Sequence, residues 1–95
     1  MRIISTKRIR KFWEVHQKSE PAFRKWIRTV IKSDWKNFAE LREVFPDADQ
    51  VGALTVFNVG GNKFRLVAAI HFNTGILFVR AVLTHKDYDK GGWKP

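Results

Sequence analysis

Two consecutive runs in the C-terminal half of the sequence decide the fold: Thr55-Val-Phe-Asn-Val-Gly-Gly-Asn-Lys-Phe-Arg-Leu-Val-Ala-Ala-Ile-His-Phe72 and Gly75-Ile-Leu-Phe-Val-Arg-Ala-Val-Leu-Thr-His-Lys-Asp-Tyr-Asp89. Both are rich in β-branched and aromatic residues, which favour strands. They are interrupted at Gly60-Gly61-Asn62 and Asn73-Thr74-Gly75, and these residue types are typical of tight hairpin turns. The sequence therefore predicts three consecutive antiparallel strands, followed by a polar exit.

The middle strand has two different faces, because successive side chains of a strand point to opposite sides of the sheet. Its purely apolar face consists of Phe64, Leu66, Ala68, Ile70 and Phe72. Its other face consists of Lys63, Arg65, Val67, Ala69 and His71. We expect the first face to pack against the rest of the chain.

The two outer strands extend this pattern. Their inward residues, by the same parity, are Thr55, Phe57, Val59, Leu77, Val79, Ala81 and Leu83. Asn58 and Arg80 then point outward, so we expect them to share one open face of the sheet with Arg65. The residues that the exiting chain brings to the edge of that face are His85, Lys86 and Tyr88.

The segments before Thr55 supply the packing partners of the sheet. Arg2-Ile3-Ile4-Ser5 predicts a short edge strand, and apolar residues at helical spacing predict one helix from about Lys7 to Lys18. A second helix begins at Ser19-Glu20-Pro21, antiparallel to the first. A shorter helical spacing over 34–42 breaks at Phe45-Pro46, and we expect a loop or a single turn from there to residue 53.

These elements predict an α+β fold in the order β-α-α-β-β-β: an N-terminal strand, two antiparallel helices and a three-stranded antiparallel meander. A short C-terminal tail follows; we expect it to fray after Asp89, with Trp93 able to fold back onto the body. The length of 95 residues predicts one domain, 1–95.

Composition narrows the functional classes. The sequence has no cysteine, which excludes a thiol nucleophile and thiolate metal sites. Eighteen Lys and Arg against nine Asp and Glu give a net charge of +9, which indicates a nucleic-acid partner. An acidic protein or an anionic membrane surface ranks lower, because no helix combines a basic side with a long apolar stripe.

No cofactor, metal site or membrane segment is expected. The three histidines lack the close spacing of a zinc motif, and the acidic residues lack the alternating spacing of a calcium loop. No window approaches the roughly 18 uninterrupted apolar residues of a membrane span. The default expectation is a cytoplasmic protein.

The outward residues suit the cleavage of RNA by attack of its own 2′-hydroxyl. That reaction needs a base, cations for the crowded phosphate and an acid for the departing 5′-oxygen. The candidate catalytic residues are Arg65, His85, Lys86 and Tyr88, and the candidate RNA-binding residues are Asn58, Asn62, Lys63 and Arg80. Imidazole titrates near neutral pH, so His85 is the candidate proton carrier, as base or as acid.

A basic face without catalysis would show the same pattern. Taken singly, each of these residue types on a sheet or a turn is more often structural than catalytic. Their convergence on one side favours a site, and the choice between binding and cleavage stays open at this point.

Two motifs resemble the HigB toxins of the RelE/ParE superfamily: Phe57-Asn-Val-Gly-Gly-Asn-Lys-Phe-Arg-Leu-Val67 and Arg80-Ala-Val-Leu-Thr-His-Lys-Asp-Tyr-Asp89. The opening strand and the segment Leu41-Arg-Glu-Val-Phe-Pro46 are similar to that family as well. The resemblance implies a RelE-like fold and a toxin that cleaves mRNA in the A site of the 70S ribosome. It also implies a helix-turn-helix antitoxin of the HigA type, and binding of operator DNA only through the toxin–antitoxin complex.

The resemblance also implies roles for individual residues. Arg65 matches the phosphate-binding arginine of the middle strand, and the functional segment after the last strand is matched by His85, Lys86 and Tyr88. RelE-type enzymes often carry lysines on the first of the three strands, where this chain has Asn58 and no lysine. An inhibitor of DNA gyrase of the ParE type, built on the same fold, is a third hypothesis.

Overall fold

The computed structural model describes residues 1–94; Pro95, the end of the predicted tail, lies outside them. The strands are β1 (Arg2–Ile4), β2 (Asp49–Val51), β3 (Leu54–Val59), β4 (Phe64–His71) and β5 (Ile76–Thr84). The helices are α1 (Thr6–Val15), α2 (Glu20–Lys32), α3 (Phe38–Val44) and α4 (His85–Asp89), with a 3₁₀ turn, Gln17–Ser19, between α1 and α2. Within these residues, no helix is long and apolar enough to cross a membrane.

The strands form one mixed sheet in the order β1-β5-β4-β3-β2. β1 runs parallel to β5, and the other neighbours are antiparallel. The α+β class and the meander β3-β4-β5 are therefore confirmed. The predicted element order is wrong, since it lacks α3, β2 and α4 and extends the first helix too far.

Local interactions explain the missed elements. α3 begins because the Asn37 side chain accepts a hydrogen bond from the Glu40 amide, 2.9 Å away, which satisfies a free donor of the first turn. β2 pairs with the start of β3 through a turn at Gly52, whose φ is +61°. A strand of three residues is too short to show a recognisable alternation of apolar and polar residues, so this segment was predicted as a loop.

The first hydrophobic cluster lies between the sheet and helices α1 and α2. Its strand residues include Leu66 and Ala68 of β4, so the apolar face predicted for the middle strand is confirmed. Phe57 is completely buried in this cluster. The rings of Trp26 and Phe45 meet it edge to face, with centroids 5.3 and 5.1 Å away.

A second hydrophobic cluster covers the other face of the sheet. Its buried residues are Leu54, Val56 and Val67, and partly buried residues packed on them include Leu83, Tyr88 and Trp93. The open face predicted here is therefore wrong over much of its area. The reason is that α4 and the chain up to Trp93 fold back over the sheet.

A β-bulge at Arg80 reverses the faces of the last part of β5. Val67 pairs with Ala81 and Ala68 pairs with Val79, so Arg80 has no partner on β4. One extra residue exchanges the two faces of a strand. Consequently Ala81 and Leu83, predicted to point inward, pack in the second cluster instead.

The turn between β3 and β4 offers a test of stability. Gly60 has φ +66°, and a Cβ there would lie 3.2 Å from Cδ2 of Phe64 and 3.5 Å from Cβ of Ala22. Gly52 has φ +61°, and a Cβ placed there would have nothing within 4 Å. Both Gly→Ala substitutions face the left-handed penalty of about 1–2 kcal/mol. We expect Gly60→Ala to lower the free energy of unfolding further than Gly52→Ala in denaturant titrations; equal losses would show that the close approach at Gly60 is unimportant.

Candidate active site

Helix α4 is positioned by two hydrogen bonds at its start. The Thr84 hydroxyl accepts from the Asp87 amide at 3.1 Å and thereby caps the helix. The amide of His85 donates to the carbonyl of Lys63, 3.0 Å away. This second bond joins α4 to the turn between β3 and β4, so that residues far apart in sequence become neighbours.

Arg65 is the buried cation of this region, with 6% of its surface exposed. Its Nη1 donates to the carbonyls of Asn62 (3.2 Å) and Phe64 (3.1 Å), and its Nη2 donates to Oδ1 of Asn62 (2.5 Å). A guanidinium has five N–H donors. Two of them, including that of Nε, therefore have no hydrogen-bond partner within residues 1–94.

Tyr88 covers Arg65, and Trp93 covers Tyr88. The Arg65 Cζ lies 5.4 Å from the centroid of the Tyr88 ring. The Tyr88 and Trp93 rings stack with centroids 4.9 Å apart and planes inclined by 12°, and Trp93 Nε1 donates to the Tyr88 carbonyl at 2.9 Å. Trp93 is thus folded back onto α4, as the sequence allowed for this residue of the tail.

His85 is paired with Asp89, a residue that sequence reasoning did not select. The His85 Nδ1 lies 2.8 Å from Asp89 Oδ2, and both side chains are partly exposed. A histidine whose Nδ1–H is held by a carboxylate presents Nε2 as its free nitrogen. The spacing i, i+4 would have indicated this pair if the segment had been predicted as a helix.

The remaining predicted residues lie around this centre with different roles. Asn62 is bonded to Arg65, as described, while Lys63 and Lys86 are exposed. Asn58 is the direct register partner of Arg65 on β3. It also borders a cavity of about 340 Å³ beneath α2.

Arg80 does not belong to this centre. It was predicted to share a face with Asn58 and Arg65, but it lines a groove with Arg8 and Lys11 of α1. That helix packs on the opposite face of the sheet through Ile9 and Trp13. The physical reason is the bulge, which takes Arg80 out of the alternation that the prediction assumed.

The site thus combines a carboxylate-oriented imidazole, a fixed guanidinium and a phenol at one end of the sheet. His85, Tyr88 and Asp89 share one side of α4 because residues three and four apart are neighbours on a helix. Within residues 1–94, no three His, Cys, Asp or Glu side chains gather in a way that could hold a metal ion. The arrangement can accept a proton at Nε2 and present N–H donors to an anion.

Comparison with known proteins gives a consistent result. Residues 19–91 match a family described as HigB_toxin, the RelE-like toxic component of a toxin-antitoxin system. The mRNA interferase toxin HigB of Escherichia coli K12 is 42% identical over 64 residues, which are 64% of this chain and 62% of that protein. The mRNA interferase HigB of Escherichia coli O6:H1 is 33% identical over 66 residues, 66% of this chain and 64% of that protein. The chain therefore matches less than two thirds of the length of either relative.

Proposed function

Because this chain belongs to the HigB family of RelE-like toxins, we propose that residues 1–95 form one toxin domain with a RelE-like fold that cleaves mRNA during translation. The observation that carries the proposal is the His85–Asp89 pair, 2.8 Å long, on a helix whose first amide is bonded to the turn that holds Arg65. This supports a site in which a candidate base and a candidate phosphate-binding group act on the same substrate.

The proposed reaction is an in-line attack of a 2′-hydroxyl on the adjacent phosphorus. His85 Nε2 takes the proton of the 2′-hydroxyl while Asp89 holds Nδ1 and stabilises the imidazolium that forms. The bond between phosphorus and the 2′-oxygen forms, and the bond to the 5′-oxygen breaks. The hydroxyl of Tyr88, on the same side of α4 as His85, supplies the proton to the departing oxygen. The products are a 2′,3′-cyclic phosphate and a 5′-hydroxyl.

The negative charge on the phosphate is met by cations fixed before the reaction. Arg65 offers its two free N–H groups, and the bonds to Asn62 and Phe64 prevent the guanidinium from turning away. The exposed Lys63, in the turn before β4, and the exposed Lys86, in α4, add further positive charge. Asn58, the register partner of Arg65, positions the substrate. The chain's own residues thus supply every step without a metal or other cofactor.

The family supports an antitoxin and mRNA as partners of the proposed toxin. We propose that the toxin acts in the cytoplasm on mRNA in the A site of the 70S ribosome, and that a helix-turn-helix antitoxin of the HigA type neutralises it. Operator DNA is bound only through the complex with that antitoxin. The net charge of +9 supports association with RNA.

The test is to map the 5′ ends of transcripts by primer extension in cells that briefly express the chain. We expect growth arrest together with new 5′ ends inside translated codons. Growth arrest with intact transcripts and altered plasmid supercoiling would instead identify an inhibitor of DNA gyrase. Intact transcripts without arrest would leave a non-catalytic nucleic-acid-binding protein.

The role of Asp89 has its own test. We expect Asp89→Asn to lower the cleavage rate, because the imidazole loses the carboxylate that orients it and stabilises its charge; the loss should stay below the roughly 10⁴-fold of a buried carboxylate partner, since Asp89 is 60% exposed. The Asp34→Asn variant is the matched control, since Asp34 pairs with Lys36 in an exposed ion pair away from the site. Cleavage by Asp89→Asn at the rate of Asp34→Asn would remove Asp89 from the mechanism.

A further inference from the structure

The groove that Arg80 lines lies between α1 and the edge of β5, away from the candidate active site. Its volume is about 440 Å³, and it is lined by Arg8, Lys11, Phe12, Arg80, Ala81 and Val82. Three of these six residues carry a positive charge and three are apolar. The groove is therefore a shallow apolar surface bordered by cations.

The topology of the sheet leaves this groove open. β1 pairs with β5 only from Ile76 to Phe78, so the rest of β5 has no neighbouring strand on that side. The bulge then brings Arg80 into the gap next to α1. Arg8 and Lys11, three residues apart, present their side chains on the same side of that helix.

The three cations have no partner among the residues that the structure describes. Within residues 1–94, neither an ion pair nor a side-chain hydrogen bond involves Arg8, Lys11 or Arg80, whereas Arg24 is paired with Glu20. Helix stability does not account for Arg8, because the first turn of α1 has no acidic residue and a cation there opposes the helix dipole. Ser5, which precedes that turn, has φ 74° and makes no side-chain cap bond. The arrangement points to an anionic ligand.

We propose that this groove binds the phosphodiester backbone of single-stranded RNA outside the cleavage site. The inference rests on the proposed function, since it extends the path of the same substrate. His85 follows Arg80 by five positions along β5 and its end, which corresponds to roughly 16 Å and therefore to a few nucleotides. The apolar part of the groove offers a surface on which a base can lie; it is lined by Ala81, Val82 and the partly buried Phe12.

The experiment measures the salt dependence of binding to a short 2′-O-methyl RNA, which lacks the attacking hydroxyl and is not cleaved. The test variant is Arg8→Gln/Lys11→Gln/Arg80→Gln. Neutralising one phosphate changes the slope of log K against log salt by about 0.7 for single strands, so removal of three cations should make the slope shallower by about 2. Fluorescence anisotropy at several salt concentrations gives the slope.

The control is Lys18→Gln/Arg28→Gln/Lys32→Gln, which removes the same charge from exposed helix positions outside the groove. We expect its slope to change by less than half as much. Equal changes in the slopes of the two variants would contradict the proposed groove and show that RNA binding depends only on the total charge. A groove variant that keeps the wild-type slope but loses affinity for the antitoxin would also contradict the proposal, because it would identify the groove as a protein-binding surface.

Cleavage of translated mRNA by the unmodified chain separates this inference from the proposed function. Intact mRNA together with a shallower slope for the groove variant would contradict the nuclease and support the groove. Cleaved mRNA together with equal slopes for the two variants would contradict the groove alone.

Discussion

Arg65→Lys is expected to lower the rate of mRNA cleavage about 100-fold or more, the size of effect produced by removal of a fixed donor to a transition-state anion. Lysine keeps the charge, but its ammonium cannot hold Asn62 and Phe64 and still offer two N–H groups in the plane of a guanidinium. Single-turnover cleavage of mRNA on programmed ribosomes measures the rate.

The control for this substitution is Arg42→Lys. Arg42 also donates to a backbone carbonyl, that of Pro46, but it lies in α3 outside the site. We expect the cleavage rate of this variant to match the wild type. Asn62→Ala removes one acceptor of Arg65, the side-chain Oδ1, and should lower the cleavage rate by an amount between those of Arg65→Lys and Arg42→Lys. A cleavage rate of Arg65→Lys close to that of Arg42→Lys would contradict the role given to the guanidinium.

His85→Gln is expected to lower the cleavage rate by about 10²- to 10⁴-fold, the usual contribution of a positioned general base. The fold should survive, because the side chain is 41% exposed and its ion pair with Asp89 is a surface pair. We therefore expect the thermal unfolding midpoint and the affinity for the antitoxin to stay close to those of the wild type. The rate and the midpoint together separate catalysis from stability.

The matched control is His71→Gln, at the other end of β4. His71 is exposed and meets Phe78 edge to face, with ring centroids 5.5 Å apart and no hydrogen bond to the site. It should cleave mRNA at the wild-type rate. If His85→Gln cleaved as fast as His71→Gln, the base would have to be sought elsewhere.

The sequence predicted the elements whose periodicity runs over many residues. β4 keeps one apolar face over its whole length, and α2 follows a restart signal, Ser19-Glu20-Pro21, so both lie close to where they were predicted. Arg65, Asn62 and Lys63 come together because they are neighbours at a hairpin turn. The residues of this part of the site are neighbours in the sequence, so their proximity could be predicted from it.

The remaining features depend on contacts that the pattern does not encode. A single extra residue at Arg80 exchanges the faces of Ala81 and Leu83, and the apolar residues on either side of Arg80 give no sign of it. The Asp89 carboxylate reaches His85 only because α4 forms, and that helix is stabilised by the Thr84 cap and by a bond to Lys63 across the sheet. The burial of Arg65 likewise follows from the return of Tyr88 and Trp93.

The central claim, attack by the 2′-hydroxyl of the mRNA on the adjacent phosphorus, is tested most directly by a single 2′-deoxy nucleotide. The deoxy substitution is placed on the 5′ side of a mapped cleavage site in mRNA on programmed ribosomes. We predict that cleavage at that position disappears, while neighbouring sites in the same mRNA still yield 2′,3′-cyclic phosphate and 5′-hydroxyl ends. Continued cleavage at the deoxy position, with 5′-phosphate or 3′-hydroxyl ends, would contradict the account.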